Sequence, residues 1–217
     1  MIGWRPQVLE TSVCAKYSGI SGLPVIYEII LDSGETANKC TIAPLSGRAD
    51  FRLFRVRGEG PLGPLSAPVL LSIDGVDLSE LRVAGVQALA AVDCVWRRLP
   101  KLLARTAWVD GKQPILAKIP AGFVTAYPRV GSHFKDPDGG LATIEALFTA
   151  AALLGNWDVS LFSKYYFGRR FVDLNARLFQ ELGVADAGIE ERLPPPAAPS
   201  RDSLSRRRNR GRVPASG

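Results

Sequence analysis

Three segments of this chain set polar residues directly after short apolar runs, the arrangement that puts chemistry at the end of a buried strand. Pro24–Leu31 is followed by Asp32-Ser33-Gly34 and then by Lys39-Cys40-Thr41. Val69–Ile73 leads into Asp74-Gly75, and Ala88–Val92 leads into Asp93-Cys94-Val95-Trp96. Ligands of open α/β sheets collect beyond the carboxyl ends of the strands, so these are the first places to look for a site. An aspartate and a tryptophan three residues apart can meet one ligand, the ring covering an apolar or cationic group and the carboxylate facing a cation or a donor. A sulfonium suits both, because an aromatic face attracts a cation. The same pair also reads as an N-cap aspartate followed by a core tryptophan. Glu145, early in the apolar run Leu141-Ala142-Thr143-Ile144-Glu145-Ala146, has two readings as well. It complements the dipole of a helix start, or it marks a first turn whose free amides bind the carboxylate of an amino-acid moiety.

Other chemistries find little support. The GxxxxGK[ST] pattern does not occur, so no P-loop phosphate cradle is expected. The lone histidine, His133, lies in a loop-like stretch and suggests no catalytic triad. Asp110, Asp136 and Asp138 are not spaced as a metal-binding loop. Cys14, Cys40 and Cys94 are odd in number and far apart, with no CxxC pair, which argues against both a disulfide framework and a zinc site. A reducing cytoplasm is the expected compartment.

The elements that must hold these residues follow from the hydrophobic pattern. Residues 24–31, 69–73 and 88–93 read as buried strands, 51–57 as a strand with one wetter face, and 123–126 as a fifth strand. A Gly/Pro-rich loop is expected through 58–64, with short helices from Asp77 or Ser79 to Val86 and over 100–104. The pattern predicts further helices over 143–154, 159–164 and 171–182. Strands separated by helices or long loops indicate an α/β sheet with parallel members. The 217 residues suffice for one domain, expected over 24–188, with an N-terminal extension over 1–23. No apolar run reaches the roughly 20 residues that cross a bilayer, and residues 1–6 lack a signal-peptide pattern, so no membrane partner is expected. The net charge of +6 is uneven: residues 193–217 carry six arginines and one aspartate. With almost nothing apolar to bury, residues 189–217 are expected to be a disordered Pro/Arg-rich tail. Its arginines either contact RNA phosphates or serve only as a solubilising appendage.

One run has an order that a generic helical domain does not need: Leu161-Phe162-Ser163-Lys164-Tyr165-Tyr166-Phe167-Gly168-Arg169-Arg170-Phe171-Val172-Asp173-Leu174-Asn175. With Val92-Asp93-Cys94-Val95-Trp96 it resembles the aminocarboxypropyltransferases that modify small-subunit ribosomal RNA, which carry "LSKFxWGxxFLxLN" and "VIDCSW". The resemblance implies a SPOUT-like parallel sheet flanked by helices, with a deep trefoil knot near the C-terminus that binds S-adenosylmethionine. It implies transfer of the 3-amino-3-carboxypropyl group to a ring nitrogen of a uridine-type base, leaving 5′-methylthioadenosine. Carried onto this chain, Thr41 meets the amino-acid end of the cofactor, Leu71 and Ile73 form a second strand end, and the Val92 backbone holds the ribose. Asp93 lies by the sulfonium as the candidate catalytic residue, Trp96 walls the methyl pocket, and Leu141, Ala142 and Thr143 supply amides for the cofactor carboxylate. RNA, expected to be ribosomal, then meets Arg129, Lys135, Arg169, Arg170 and the tail residues Arg206, Arg207 and Arg208, with the protein a monomer. The chain also departs from the family. "ANPVNYG" is replaced by Ala126-Tyr127-Pro128-Arg129-Val130-Gly131, residues 134–140 are inserted, and "DPKKCTG" keeps only Lys39-Cys40-Thr41. A methyltransferase of the same fold and a non-catalytic RNA-binding protein are the alternatives.

Overall fold

The structure, a computed structural model, describes residues 25–32, 40–81, 86–128 and 140–184. Strand β1 (Ile26–Leu31) is flanked by β2 (Phe51–Arg55) and by the central strand β5 (Ala88–Asp93). Beyond β5 lie β4 (Val69–Asp77) and β7 (Ile115–Lys118), giving the order β2-β1-β5-β4-β7 with every pairing parallel. A separate parallel pair joins β3 (Leu62–Leu65) to β6 (Thr106–Trp108).

Parallel strands buried on both faces read as continuous apolar runs, and the alternation of β1 shows why. Tyr27, Ile29 and Leu31 enter the larger core, which also holds Leu89 and Ala91 of β5. Against them pack Ile144, Leu147, Phe148 and Ala151 of helix α2 (Thr143–Leu153) and Phe171 and Phe179 of helix α3 (Gly168–Glu181). Ile30 points the other way, to a smaller core with Leu65, Leu70, Ala90 and Leu102, the last from helix α1 (Leu99–Leu103). Glu28 also lies on that face. Its buried carboxylate accepts from Ser66 N (2.6 Å), Ser66 Oγ (2.6 Å), Ala67 N (2.9 Å) and Arg52 Nη1 (3.1 Å).

Gly168 opens α3 because nothing larger fits there. A Cβ at that position would stand 2.5 Å from Phe162 Cβ and 2.6 Å from Phe162 Cγ, which explains a glycine between an aromatic run and a helix.

Several expectations need correction. Residues 123–126 form no strand. The Asn175 side chain of α3 accepts from Val124 N (2.7 Å) and donates to Val124 O (2.9 Å), while Ala126 N is taken by Glu145 (2.9 Å). Side chains meet the hydrogen-bonding needs that a neighbouring strand would otherwise meet. The helix expected from Asp77 or Ser79 is absent over its described part. There β4 continues to Asp77, whose Oδ1 accepts from Ser79 N and Oγ to close a turn. The expected loop over 58–64 contributes β3, and β6 and β7 are additional.

A candidate ligand site at the carboxyl ends of the central strands

The chain leaves β1 toward β2 on one side of the sheet and leaves β5 toward β7 on the other. Adjacent strands whose connections diverge define a switch point, where a crevice opens beyond the strand ends. Here the switch point lies between β1 and β5, and the candidate residues gather at it.

Asp93 closes β5 opposite Leu31 and is only 5% exposed. Its Oδ1 accepts from the Thr143 hydroxyl at 2.6 Å and its Oδ2 from the Cys40 thiol at 2.9 Å. One carboxylate therefore ties together the end of β5, the first residue of α2 and the segment after β1. Burial, then the charge of Asp93 and the hydrogen bond to it, push the Cys40 thiol up to about 12. The thiol stays protonated and acts as a hydrogen-bond donor rather than a nucleophile. Cys40 Sγ also accepts from Ala43 N (3.1 Å), which fixes the loop carrying half-buried Thr41. Asp32, one residue past β1, donates its amide to Asp93 O (3.0 Å) and forms an ion pair with Arg98 (2.9 Å).

The β4 side of the crevice is opened by a break in pairing. β4 matches β5 only at Val69↔Leu89 and Leu70↔Ala90. Leu71 and Val76 then both face Ala117 of β7, so residues 72–75 form an excursion from the strand. Gly75 returns the chain to the sheet, and a Cβ there would overlap the Leu116–Ala117 backbone. The excursion leaves Ile73 49% exposed. The amides of Ile26 and Asp32 reach Gln87 O and Asp93 O, so odd-numbered residues of β5 turn their backbone groups toward β1. By alternation, Val92 turns its N–H and C=O toward β4, beyond the last paired residue. Trp96, half-buried, opens the single 3-10 turn after β5.

The start of α2 is more engaged than its sequence suggests. Glu145 is fully buried and accepts four hydrogen bonds: from Thr125 Oγ1 (2.6 Å), Ala126 N (2.9 Å), Ala142 N (3.0 Å) and Tyr165 Oη (2.8 Å). Glu145 thus joins α2 to the 125–126 segment and to Tyr165, while the Ala142 amide is spent on it. The amides of Thr143 and Ile144, in the first turn, have no acceptor within the helix.

The structure brings Thr41, Val92, Asp93, Trp96, Leu141, Ala142 and Thr143 to this edge, with Leu71 and Ile73 on its β4 side. Cys40, Asp32 and Arg98 join the candidate site through contacts made by the fold. A thiol donating to a carboxylate 53 residues away has no local signature, whereas Asp32 is signalled by its place after an apolar strand. Arg169 and Arg170 are exposed on α3, with Arg169 3.9 Å from Asp173. Among the described residues, no hydrogen bond or ion pair joins them to the Asp93 cluster. Arg129, Lys135, His133, Arg206, Arg207 and Arg208 lie outside the described residues. No group of histidine, cysteine and acidic side chains able to hold a metal occurs among the described residues, and no helix there is long and apolar enough to cross a membrane.

A parallel sheet covered by helices, with polar residues converging at its switch point, defines an α/β domain with a candidate ligand site. No family model matches the chain, and no curated protein does. Among solved structures, the chain shares its fold with the SAM-dependent rRNA:acp-transferase Tsr3 from Vulcanisaeta distributa. The TM-score is 0.51 over 75% of this chain and 85% of that one, at 20% identity. The resemblance carried by Leu161–Asn175 and Val92–Trp96 thus has a counterpart in the fold.

Proposed function

We propose that this chain binds S-adenosylmethionine at the carboxyl ends of β1 and β5 and transfers its 3-amino-3-carboxypropyl group to a uridine-type base nitrogen in RNA, most specifically small-subunit ribosomal RNA. The observation that carries this reading is the convergence on Asp93 of Cys40 and Thr143, each from a segment that the sequence resemblance had assigned to the cofactor. The donor set fits. A near-buried carboxylate beside a half-buried tryptophan suits a sulfonium, and the exposed Ile73 of the excursion offers an apolar wall with Leu71. The backbone groups of Val92 suit ribose hydroxyls, and Thr41 suits a polar amino-acid end. Amides at the start of α2, beside Leu141 and Thr143, suit its carboxylate. The amide of Ala142 is engaged by Glu145, so Ala142 contributes packing rather than an open donor.

When bound, the donor supplies an electrophilic carbon next to a sulfonium leaving group. The tasks left to the protein are orientation and exclusion of methyl transfer. Asp93 lies where it offsets positive charge, or where Oδ1 or Oδ2 accepts the proton of the base nitrogen. Trp96 shields the methyl group. The fuller reading includes a SPOUT-like deep trefoil knot, a domain over 24–188 with the extension and tail outside it, and a cytoplasmic monomer. Its RNA contacts include Arg129, Lys135, Arg169, Arg170 and the arginines at 206–208. The test is to incubate the pure protein with S-adenosylmethionine and RNA. 5′-Methylthioadenosine is the expected product. S-Adenosylhomocysteine would assign a methyltransferase, and neither product would leave a non-catalytic RNA-binding protein.

A further inference from the structure

The sequence segments 55–62 and 94–105 hold six cations, Arg55, Arg57, Arg97, Arg98, Lys101 and Arg105, against one acid, Glu59. The fold lays the two segments side by side. Val56 N bonds Leu31 O (3.0 Å), which fixes Arg55 and Arg57 beside the end of β1. Arg98 pairs with Asp32 at the crevice mouth (2.9 Å). Three residues on, Lys101 meets Glu59 (2.9 Å). Arg105 then donates to Gly58 O (2.9 Å) and Gly60 O (2.7 Å). These contacts trace one continuous ribbon running outward from the crevice.

Asp32 and Glu59 are the acids that pair with Arg98 and Lys101 of this ribbon. Arg105 spends donors on carbonyls, which satisfies hydrogen bonds but leaves the charge. Asp32, with a side chain only 1% exposed, faces inward to Arg98. The hydrogen bond and charge of Lys101, and then the charge of Arg105, hold the exposed Glu59 carboxyl below its ordinary range.

We infer that this ribbon docks the backbone of the RNA whose base enters the crevice, an assignment that rests on the proposed function. Five of the six cations are arginines, whose planar forks match phosphate oxygens. Half-buried Trp96 and exposed Val95 lie in the same segment, so charge for a backbone is interleaved with an apolar and aromatic surface for a base. Helix α3 is less suited, because Arg169 and Arg177 are matched by Asp173 and Glu181 on the same helix.

The test uses the full chain, a labelled RNA hairpin with a uridine-rich loop, and anisotropy titrations over a salt series. In R55Q/R57Q/K101Q three cations are neutralised, while Arg97, Arg98 and Arg105, which hold interactions of their own, are kept. The slope of log K against log salt is expected to fall by roughly 2.4, from three contacts at about 0.7–0.9 each. Calorimetric binding of S-adenosylmethionine should be unchanged, which also shows that the variant is folded. A slope change below about 1, or an equal change in R169Q/R170Q, overturns the assignment. So does loss of binding to vesicles containing phosphatidylserine with RNA binding intact, which would make the partner a membrane surface. A chain that binds no S-adenosylmethionine yet loses its salt slope with the ribbon would refute the proposed function and leave the ribbon standing.

Discussion

Glu145→Gln gives the sharpest test of how the site is held. Each carboxylate oxygen receives one hydroxyl and one backbone amide: Tyr165 Oη and Ala126 N at Oε1, Thr125 Oγ1 and Ala142 N at Oε2. The two hydroxyls can rotate to accept from a glutamine NH2 group, but the two amides cannot. Whichever way the glutamine is flipped, one buried amide faces a donor. An unsatisfied buried amide costs about 1–3 kcal/mol, and the remaining bonds lose the strength that a charged acceptor gave them. The expected loss is about 3 kcal/mol, read from the shift of the urea midpoint at pH 7 with an unchanged denaturant slope. Binding of S-adenosylmethionine should weaken in the same variant, because the start of α2 is anchored by this residue. A loss below about 1 kcal/mol would refute the account of Glu145 as the anchor.

Trp96→Ala should weaken S-adenosylmethionine binding by calorimetry, and equal affinity in both proteins would remove Trp96 from the site. Asp93→Asn should lower turnover more than donor affinity if the carboxylate handles the proton, while weaker binding with unchanged turnover would assign it to sulfonium recognition. Gly168→Ala should cost about 2 kcal/mol in thermal or urea unfolding, since its Cβ meets buried Phe162. For Glu28, burial pushes the carboxyl up, but the hydrogen bonds from Ser66, Ala67 and Arg52 outweigh it and hold the group below its ordinary value. Its stabilising contribution is complete above the unfolded value of about 4.3 and is lost as pH falls through the lower folded value. Unfolding titrations from about pH 5 downward should therefore show a shallower acid dependence in Glu28→Gln than in the parent.

The central strands and the long helices are legible in the sequence because burial on both faces makes β5 apolar up to Val92 and β1 apolar except at Glu28, and α2 is rich in Ala and Leu. The acid ending an apolar strand marks Asp93 in the same way. What is not legible depends on distant partners. β3, β6 and β7 are only three or four residues long, and Gly63-Pro64 within β3 reads locally as a turn. Phe123-Val124-Thr125 has strand composition, but its backbone is met by Asn175, 51 residues later. The excursion over 72–75 likewise depends on how β4 passes from β5 to β7, which no local pattern encodes.

The Asn175 clasp couples the behaviour of two distant parts of the chain in time. Val124 is held by a side chain on a helix, so its amide is released when α3 swings away, even while the five-stranded sheet stays closed. Hydrogen exchange at Val124 should then follow the undocking of α3 rather than opening of the ladder, at a rate shared with the exchange of the α3 amides themselves. The segment leading to the site and the last described helix would open and close as one cooperative unit.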